Sequence, residues 1–405
     1  MARAPKKYTA LSLEAYARKA GETDRFSDEE PSTHYANLTF GYFGEIGGLL
    51  AALKKVRRDW LRESEADVAG EEIGDALWYL VAAASVCDVA PRKLGSACLT
   101  YLRERFGEAP KAAPTSTGFP EFDGITALHR VSIRRTRDAL LPELAEYAGA
   151  MTRLSPSHML ALPPADRAAR YGQLLGLLAM VSARFGLNFG ELARRNLEKI
   201  ADRWPGKVRT YHELFDGAME PHEQLPRQFE VEFIQRKVGS RLLVVQQIRG
   251  LNVGDPLTDN SHKPDGYRFH DVFHLAYAVH LGWSPVIRAL LKVKRKSDPQ
   301  VDENEDGARA AIIEEGIATW IFNHAKRRRL FADVEEGRLE YALLKQVRAM
   351  VDGYEVDRCP LWQWERAILE GFRVFRLLKD NKGGIATIDL NARAIDYKAT
   401  SPVTV

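Results

Sequence analysis

Three carboxylate side chains between positions 41 and 80 have the types and spacing of a metal site. Glu72 and Asp75 are three residues apart, which places both on one face of a helix. Glu45 lies in a preceding helix-like segment that would face this pair in a helical hairpin. Carboxylate oxygens on facing helices are the hard ligands that Mg²⁺ and Mn²⁺ prefer. The alternative is an acidic helix face in water, and the pair alone does not decide between the two.

Two histidines form a second candidate group. His270 and His274 are four residues apart on a predicted helix, with Asp271 between them, and a later apolar helix carries Glu314 and Glu315. Two imidazoles and a carboxylate from a facing helix form a ligand set for Zn²⁺, Mn²⁺ or Fe²⁺. In the alternative interpretation, His270 binds a backbone carbonyl while the two glutamates face solvent.

Capping residues and apolar periodicity predict the helices that carry the first group. Ser12 has the type of an N-cap residue, and Pro91 suits the first turn of a helix. The helices predicted before the first linker cover residues 12–20, 40–58, 70–86 and 90–106. Residues 108–124 are rich in Pro, Gly, Ser and Thr, which predicts a linker.

The C-terminal half shows strand patterns as well as helical ones. Residues 229–236 and 241–248 alternate in polarity and are rich in β-branched side chains, which predicts a β-hairpin. Residues 385–397 are predicted as a third strand or another hairpin arm. The intervening chain is predicted to be helical, which gives an α+β region.

The region before residue 210 repeats itself at an offset of 98 positions. Glu45 aligns with Glu143 and Gly74 with Gly172, and the register runs without gaps through two helices and their connection. Duplication explains this better than chance, although two amphipathic hairpins can also be slid into register. In the second copy, Arg170 and Gln173 replace Glu72 and Asp75.

Composition narrows the class of protein. The 405 residues carry a net charge of +3, which is too small to indicate nucleic-acid binding by itself. Three cysteines without metal-type spacing are typical of a reducing cytoplasm. The N-terminus lacks the apolar core of a signal peptide, and the longest nearly apolar run, 76–86, is too short to span a bilayer. We therefore expect a cytoplasmic protein with no membrane partner.

The segment GYFGEIGGLLAALKK…GEEIGDALWYL resembles the MazG-type, all-α nucleoside triphosphate pyrophosphohydrolases. That family has a Glu-x-x-Glu helix, then a Glu-x-x-Asp helix, then a closing helix with a Lys/Asn/Arg pattern. Glu72 and Asp75 match the second motif, and Glu45 matches the first position of the first. Gly48 departs from the family, because it stands where the second Glu is expected. The resemblance covers roughly residues 8–206.

Several roles follow from this resemblance. It implies Mg²⁺-dependent or Mn²⁺-dependent hydrolysis of a nucleoside triphosphate to the monophosphate and pyrophosphate. Glu45, Glu72 and Asp75 would hold the metal, and Glu71 or Glu146 would complete the ligand shell that Gly48 interrupts. The closing helix, NLEKIADRWP (196–205), would contribute substrate-binding residues: Asn196, Lys199 and Arg203. Lys54 and Lys55 follow the first motif and would reach phosphates, unless they lie on a solvated helix face.

The sequence thus predicts a mainly α protein built as a tandem MazG-like helical bundle, a pseudo-dimer, followed by an α+β C-terminal domain. The expected boundaries are 1–107, 108–124 (linker), 125–210 and 211–405. The expected function is a nucleotide pyrophosphohydrolase, with the histidine group as a possible second hydrolytic site that binds a transition metal. One alternative is a degenerate nucleotide sensor that signals through the C-terminal domain.

Another alternative is a nucleic-acid-associated defence protein that uses the basic clusters 292–296 and 326–329. Solvated helix faces are the commoner explanation of such clusters, so nucleic acid is compatible with the sequence but not favoured. A homo-oligomer is equally compatible with the sequence.

Overall fold

The computed structural model describes residues 11–59, 64–109, 118–206 and 209–400. The chain divides into two compact units, Met1–Ala201 and Asp202–Val405, and each has its own hydrophobic core. The prediction of a mainly α protein with an α+β C-terminal region is confirmed. Residues 110–117 of the predicted linker 108–124 lie outside the described residues. Its last six residues belong to a helix that begins at Phe119, so the linker prediction is wrong there.

The first unit is a helical bundle. Ser12 is the N-cap of the first helix, as predicted, and its side chain accepts a hydrogen bond from the backbone N–H of Ala15 at 3.1 Å. Ser64 and Asp67 form a capping box at the start of the helix that carries Glu72. The helices are α1 (Leu13–Gly21), α2 (Pro31–Asp59), α3 (Glu65–Val86), α4 (Pro91–Arg105), α5 (Phe119–Leu128), α6 (Arg130–Arg135), α7 (Arg137–Met151), α8 (Pro156–Ala161), α9 (Pro164–Arg184) and α10 (Phe189–Arg203).

The second unit combines helices with one antiparallel sheet. Its helices are α11 (Asp271–Leu281), α12 (Pro285–Leu291), α13 (Pro299–Asn304), α14 (Ala308–Ala325), α15 (Tyr341–Met350) and α16 (Leu361–Asp380). Four short 3-10 segments accompany them: Pro221–Glu223, Tyr267–Phe269, Lys326–Phe331 and Glu355–Arg358. Every residue of α11 is buried, and this helix packs against α16 and the sheet.

The sheet contains five strands in the order β3-β2-β1-β4-β5. The strands are β1 (Gln228–Val238), β2 (Arg241–Ile248), β3 (Leu251–Leu257), β4 (Gly383–Asp389) and β5 (Ala394–Lys398). β1 and β2 form the predicted hairpin, and residues 385–397 supply most of a second hairpin made by β4 and β5. β3 was not predicted, because Gly254 and Pro256 interrupt its alternation.

Within the described residues, no single helix has the length and apolar composition needed to cross a membrane. α3 and α4 pass that test only when taken together, and they are bent by 118° at the break between them.

Candidate functional site

The three carboxylates of the first candidate group come together where α2 packs against α3. Glu45 of α2 and Glu72 of α3 are hydrogen-bonded to each other, and Asp75 is close enough to act on both electrostatically. Burial raises the pKa of Glu45 to about 8, and the hydrogen bond with Glu72 and the charges of Asp75 and Glu72 add to the rise. Burial is also the main cause of the raised pKa of Glu72. The two carboxyl groups therefore favour a shared proton, with Glu45 as the donor and Glu72 as the acceptor.

The closing helix α10 supplies polar groups to the same place. The Lys199 ammonium is 2.5 Å from Oδ2 of Asp75 and 3.0 Å from Oε1 of Glu71. Asn196 donates its amide N–H to Oδ1 of Asp75 at 3.0 Å. The structure thus joins two residues predicted to bind substrate with two predicted to hold metal. We call Glu45, Glu71, Glu72, Asp75, Asn196 and Lys199 the carboxylate cluster.

Tyr16 was missed by the sequence-based predictions. Its hydroxyl donates to Oδ1 of Asn196 at 2.7 Å, and the side chain is fully buried. This bond fixes the Asn196 amide so that its N–H faces Asp75. Nothing in the sequence around position 16 indicates this role, because the two residues are 180 positions apart.

The position that departs from the family motif lies against the cluster. A Cβ atom added at Gly48 would be 2.6 Å from Oε2 of Glu72, closer than van der Waals contact. The space that a second glutamate of the first motif would need is therefore partly filled by the Glu72 carboxylate.

Other predicted residues lie apart from the cluster. Lys54 and Lys55 are exposed on α2, as a solvated helix face would have them. Glu146 is exposed on α7, and within the described residues no hydrogen bond or ion pair joins it to Glu45, Glu72 or Asp75. Arg203 is buried in the second unit, where it pairs with Glu365 and donates to the carbonyl of Leu339. The predicted phosphate-binding role of Arg203 therefore conflicts with its contacts.

A cavity of about 330 Å³ opens beside the carboxylate cluster. Glu71, Asp75, Asn196 and Lys199 line it, together with Arg195 and the apolar side chains of Leu187 and Leu192. Such a mixture of one apolar wall and a few convergent polar groups is typical of a small-molecule site.

The predicted duplication has a counterpart in the helix contacts. A Cβ at Gly74 would lie 3.3 Å from Cβ of Asn196, and a Cβ at Gly172 would lie 2.7 Å from the backbone nitrogen of Cys98. Positions 74 and 172 are 98 apart, as are positions 98 and 196. In the predicted duplication, α4 is the equivalent of α10, and α3 is the equivalent of α9. The observed contacts join α10 to α3 and α4 to α9, so each of them connects one copy to the other. These paired contacts support the duplication, which stays a prediction.

The predicted second copy has different side chains at the position equivalent to the carboxylate cluster. Glu143, the counterpart of Glu45, forms an ion pair with Arg105 at 2.8 Å. Burial raises the pKa of the neighbouring Tyr101 to about 12, and the charge of Glu143 adds to the rise. The Glu143 carboxylate is therefore neutralised by an arginine from α4. A cavity of about 680 Å³ lies nearby, lined in part by Arg153, Arg170 and Gln173.

The histidine group is assembled by α11 and α14 in the second unit. His270 is the N-cap residue of α11, and Asp271 and His274 lie in its first turns. Nδ1 of His270 is 2.9 Å from the carbonyl of Tyr267, and Nδ1 of His274 is 2.9 Å from Oε1 of Glu314. On the opposite side of the rings, Nε2 of His270 is 3.2 Å from Oδ1 of Asp271, and Nε2 of His274 is 3.4 Å from Oε2 of Glu315.

The two glutamates of α14 have different environments. Glu314 is fully buried and accepts hydrogen bonds from the Ser284 hydroxyl at 2.6 Å and the Val286 N–H at 2.9 Å. Glu315 has a side chain that is 44% exposed. The expectation that both glutamates face solvent is therefore wrong for Glu314, while the carbonyl contact of His270 agrees with that alternative. Gln246 of β2, which the sequence did not indicate, donates to Oδ2 of Asp271.

Burial and charge act in opposite directions on this group. Burial lowers the pKa of His270, and the charge of Asp271 only partly offsets this. Burial also acts to lower the pKa of His274, but the carboxylates of Glu314 and Glu315 outweigh it and raise that pKa well above its ordinary value. For Glu315, the contacts with His274 and His270 outweigh burial and lower its pKa.

Part of the positive charge in the basic clusters of this unit is ion-paired. Arg295, in the cluster 292–296, is buried against Asp306 and Glu355. In the cluster 326–329, Lys326 pairs with Asp265 and Arg328 with Glu340. These contacts leave less positive charge available for phosphates than the sequence suggests, and nucleic-acid binding stays an untested prediction.

Comparison with known families finds a match in the C-terminal half of the chain, where the sequence analysis suggested no family. Residues 210–401 match the family model of the MazG C-terminal domain. This match supports a MazG-like protein through its C-terminal part and agrees with nucleotide hydrolysis at that coarse level. It does not extend to the proposed tandem copies before residue 210. No curated protein and no solved structure matches the chain significantly.

Proposed function

We propose that the chain is a metal-dependent nucleotide pyrophosphohydrolase whose active site is the carboxylate cluster of the first unit. The substrate is a nucleoside triphosphate, and the products are the monophosphate and pyrophosphate. The observation that carries this proposal is the meeting of Glu45, Glu72 and Asp75 with Asn196 and Lys199. These five residues come from three separate helices, and each was indicated by a motif of the pyrophosphohydrolase pattern.

The cluster fits a hard divalent cation. Glu45 and Glu72 are adjacent carboxyl groups, and at least one of them needs a proton to relieve the repulsion. A divalent cation can replace that proton, and all the available donors are oxygens, which suits Mg²⁺ or Mn²⁺. Glu45, Glu72 and Asp75 would hold the ion. When bound, the ion supplies charge neutralisation for the triphosphate and polarises the phosphorus that is attacked.

The remaining residues have distinct tasks. A water oxygen forms a bond to phosphorus while the bond to the leaving pyrophosphate oxygen breaks, and a cluster carboxylate accepts the proton of the water. The Lys199 ammonium forms ion pairs with Asp75 and Glu71 in the structure. It can exchange these contacts for a phosphate oxygen of the substrate. Asn196 is held by Tyr16 and keeps Asp75 in position.

The decisive test is Glu72→Gln, which keeps the shape of the side chain and removes its charge. Pyrophosphate release from a panel of ribo- and deoxyribonucleoside triphosphates is measured with Mg²⁺ or Mn²⁺. We expect the variant to lose about 100-fold or more of the turnover. Glu104→Gln on α4, which removes an exposed carboxylate, is the matched control and should retain wild-type turnover. Full activity of Glu72→Gln would exclude this site.

The cavity of the second copy favours one other function. Its volume of about 680 Å³ and its arginines, Arg153 and Arg170, suit an anionic nucleotide without a metal-binding carboxylate triad. A sensor would bind nucleotide tightly there and release no pyrophosphate. Calorimetric titration with a non-hydrolysable triphosphate distinguishes the two. A sensor predicts binding that weakens in Arg170→Gln, whereas the enzyme predicts binding that weakens in variants of Lys199.

A further inference from the structure

We propose that the second unit contains a separate site for a divalent first-row transition metal, formed by His270, Asp271, His274 and Glu315. The proposal is independent of nucleotide hydrolysis in the first unit, because the two sites share no residue. It rests on the orientation of the two imidazoles, on an unpartnered buried nitrogen, and on the positions of the surrounding carboxylates.

Both imidazole rings are oriented by a contact at Nδ1. A carbonyl oxygen can only accept, so His270 donates from Nδ1 to Tyr267, which leaves the Nε2 lone pair free. His274 in the same way donates from Nδ1 to Glu314. Metal-binding histidines usually carry such a partner on the second nitrogen, because it fixes both the tautomer and the ring plane. Two independent hydrogen bonds at Nδ1 therefore orient both rings, with their Nε2 atoms facing the same region.

The Nε2 atom of His274 lacks a satisfactory protein partner. Its side chain is fully buried, and Nε2 belongs to the small group of buried polar atoms that make no hydrogen bond among the described residues. Oε2 of Glu315 is 3.4 Å away, which is longer than a normal N–H···O bond. A buried polar atom without a partner is costly, so such an atom often marks the place of an unseen ligand.

Two carboxylates complete the donor set. Asp271 accepts from Gln246 through Oδ2, which leaves Oδ1 facing His270. Oε2 of Glu315 lies 3.8 Å from Nε2 of His270 and 3.4 Å from Nε2 of His274, so it faces both rings. Ligand atoms of His270, Asp271 and His274 all lie within 4.8 Å of one another. Atoms bound to one ion at about 2.1 Å can be up to roughly 4.2 Å apart, so small side-chain shifts suffice.

The donor types select the metal class. Two imidazole nitrogens and two carboxylate oxygens favour Mn²⁺, Fe²⁺, Co²⁺ or Zn²⁺ over Mg²⁺ and Ca²⁺, which prefer oxygen alone. Glu315 also lines a cavity of about 680 Å³ that it shares with Lys292, Val286 and Gly254. Glu315 therefore links the site to this cavity, and Lys292 lies in the same cavity, where it can accompany an anionic ligand.

The test uses the full chain after removal of metal with a chelator. Mn²⁺ is added, and pulsed electron paramagnetic resonance detects nitrogen coupled to the ion. The carboxylate cluster contains no histidine, so a directly coordinated imidazole nitrogen distinguishes this second site from it. We expect one nitrogen-coordinated Mn²⁺ per chain, and Co²⁺ or Zn²⁺ should compete for it. The same ion in Glu72→Gln would show that the two sites are separate.

Two variants and a control decide the outcome. His270→Gln and Glu315→Gln keep the side-chain size approximately and should weaken the nitrogen-coordinated binding at least about tenfold. His262→Gln removes an exposed histidine and should bind as wild type. Circular dichroism confirms that each variant is folded. Absence of nitrogen coupling in the wild type overturns the proposal and leaves His274 as a protonated partner of Glu314 and Glu315. Unchanged binding in both variants also overturns it.

Discussion

At the scale of single residues, the absence of a side chain at Gly48 affects the geometry of the carboxylate cluster. A Cβ atom added at residue 48 would lie only 2.6 Å from Oε2 of the Glu72 carboxylate. Glu72 can therefore approach Glu45 because position 48 has no side chain. A glutamate at this position, as in the motif that the sequence resembles, would displace the Glu72 carboxylate, which is a proposed metal ligand.

Gly48→Ala should change stability and activity in opposite directions. Alanine in place of glycine within a helix stabilises it by up to about 1 kcal/mol. The added Cβ moves Glu72, so pyrophosphate release should fall at least about tenfold. Gly47→Ala is the matched control, since a Cβ there meets nothing within 4 Å and should leave turnover unchanged. Chemical denaturation and the pyrophosphate assay measure the two effects, and unchanged turnover in Gly48→Ala would contradict the close contact.

His280 gives the second unit a pH-dependent stability. Burial lowers its pKa to about 3, and the charges of Arg366, Arg393 and Arg373 act in the same direction. The unfolded chain has an ordinary histidine pKa near 6.5 and binds a proton that the folded state does not bind. This contribution to stability is therefore complete above about pH 6.5 and is lost progressively as the pH falls towards 3.

Between pH 7 and pH 5 this linkage should cost about 2 kcal/mol of the free energy of unfolding. Five of the seven tryptophans lie in Asp202–Val405, so urea unfolding followed by tryptophan fluorescence reports mainly this unit. His280→Gln should reduce the loss by about that amount, while His262→Gln, at an exposed site, should retain it. If the free energy of unfolding falls equally with pH in the wild type and in His280→Gln, protonation of His280 is not coupled to folding.

At the scale of helices, close crossings hold the first unit together. A Cβ at Gly172 of α9 would lie 2.6 Å from both the backbone carbon and the Cβ of Ala97 in α4. Backbone cannot move aside as a flexible side chain can, so the two helices would have to separate. The crossing of α3 and α10 at Gly74 is less tight, because the nearest atom is 3.3 Å away.

Gly172→Ala should therefore destabilise the first unit by about 1–3 kcal/mol. Gly74→Ala should have a smaller effect, and Gly124→Ala, where a Cβ meets nothing within 4 Å, should be neutral or slightly stabilising. Thermal unfolding followed by circular dichroism gives the order of the three variants. A Gly172→Ala protein as stable as Gly124→Ala would mean that α4 and α9 are not in contact at this point.

Local sequence predicted the elements better than their contacts. Ser12 and the β1–β2 hairpin follow from capping and periodicity within a few residues. The two carboxylate helices are also present, but α2 begins at Pro31, nine residues before its predicted start, and α3 begins at Glu65, five residues before its predicted start. The bond from Tyr16 to Asn196 and the bond from Gln246 to Asp271 depend on tertiary packing, which no local pattern encodes. Arg203 shows the same limit, since it follows Lys199 by one helical turn, yet its charge is neutralised by Glu365.

At the scale of the whole molecule, the described part of each unit carries a cluster of polar groups that we propose as a metal site. The first offers only oxygen ligands and Lys199, whereas the second adds imidazole nitrogens. This difference in donors means that Mg²⁺ and a transition metal would partition between the units instead of competing for one site. The match to the MazG C-terminal domain covers the unit with the histidines.

The crossed arrangement of the closing helices has a consequence for assembly. Because α4 contacts α9 and α10 contacts α3, neither half of the bundle completes its own packing. Two chains that exchanged residues 11–109 for one another would form the same contacts as a single chain. Domain swapping therefore gives this bundle a direct route to a dimer in which each carboxylate cluster combines α2 and α3 of one protomer with α10 of its partner.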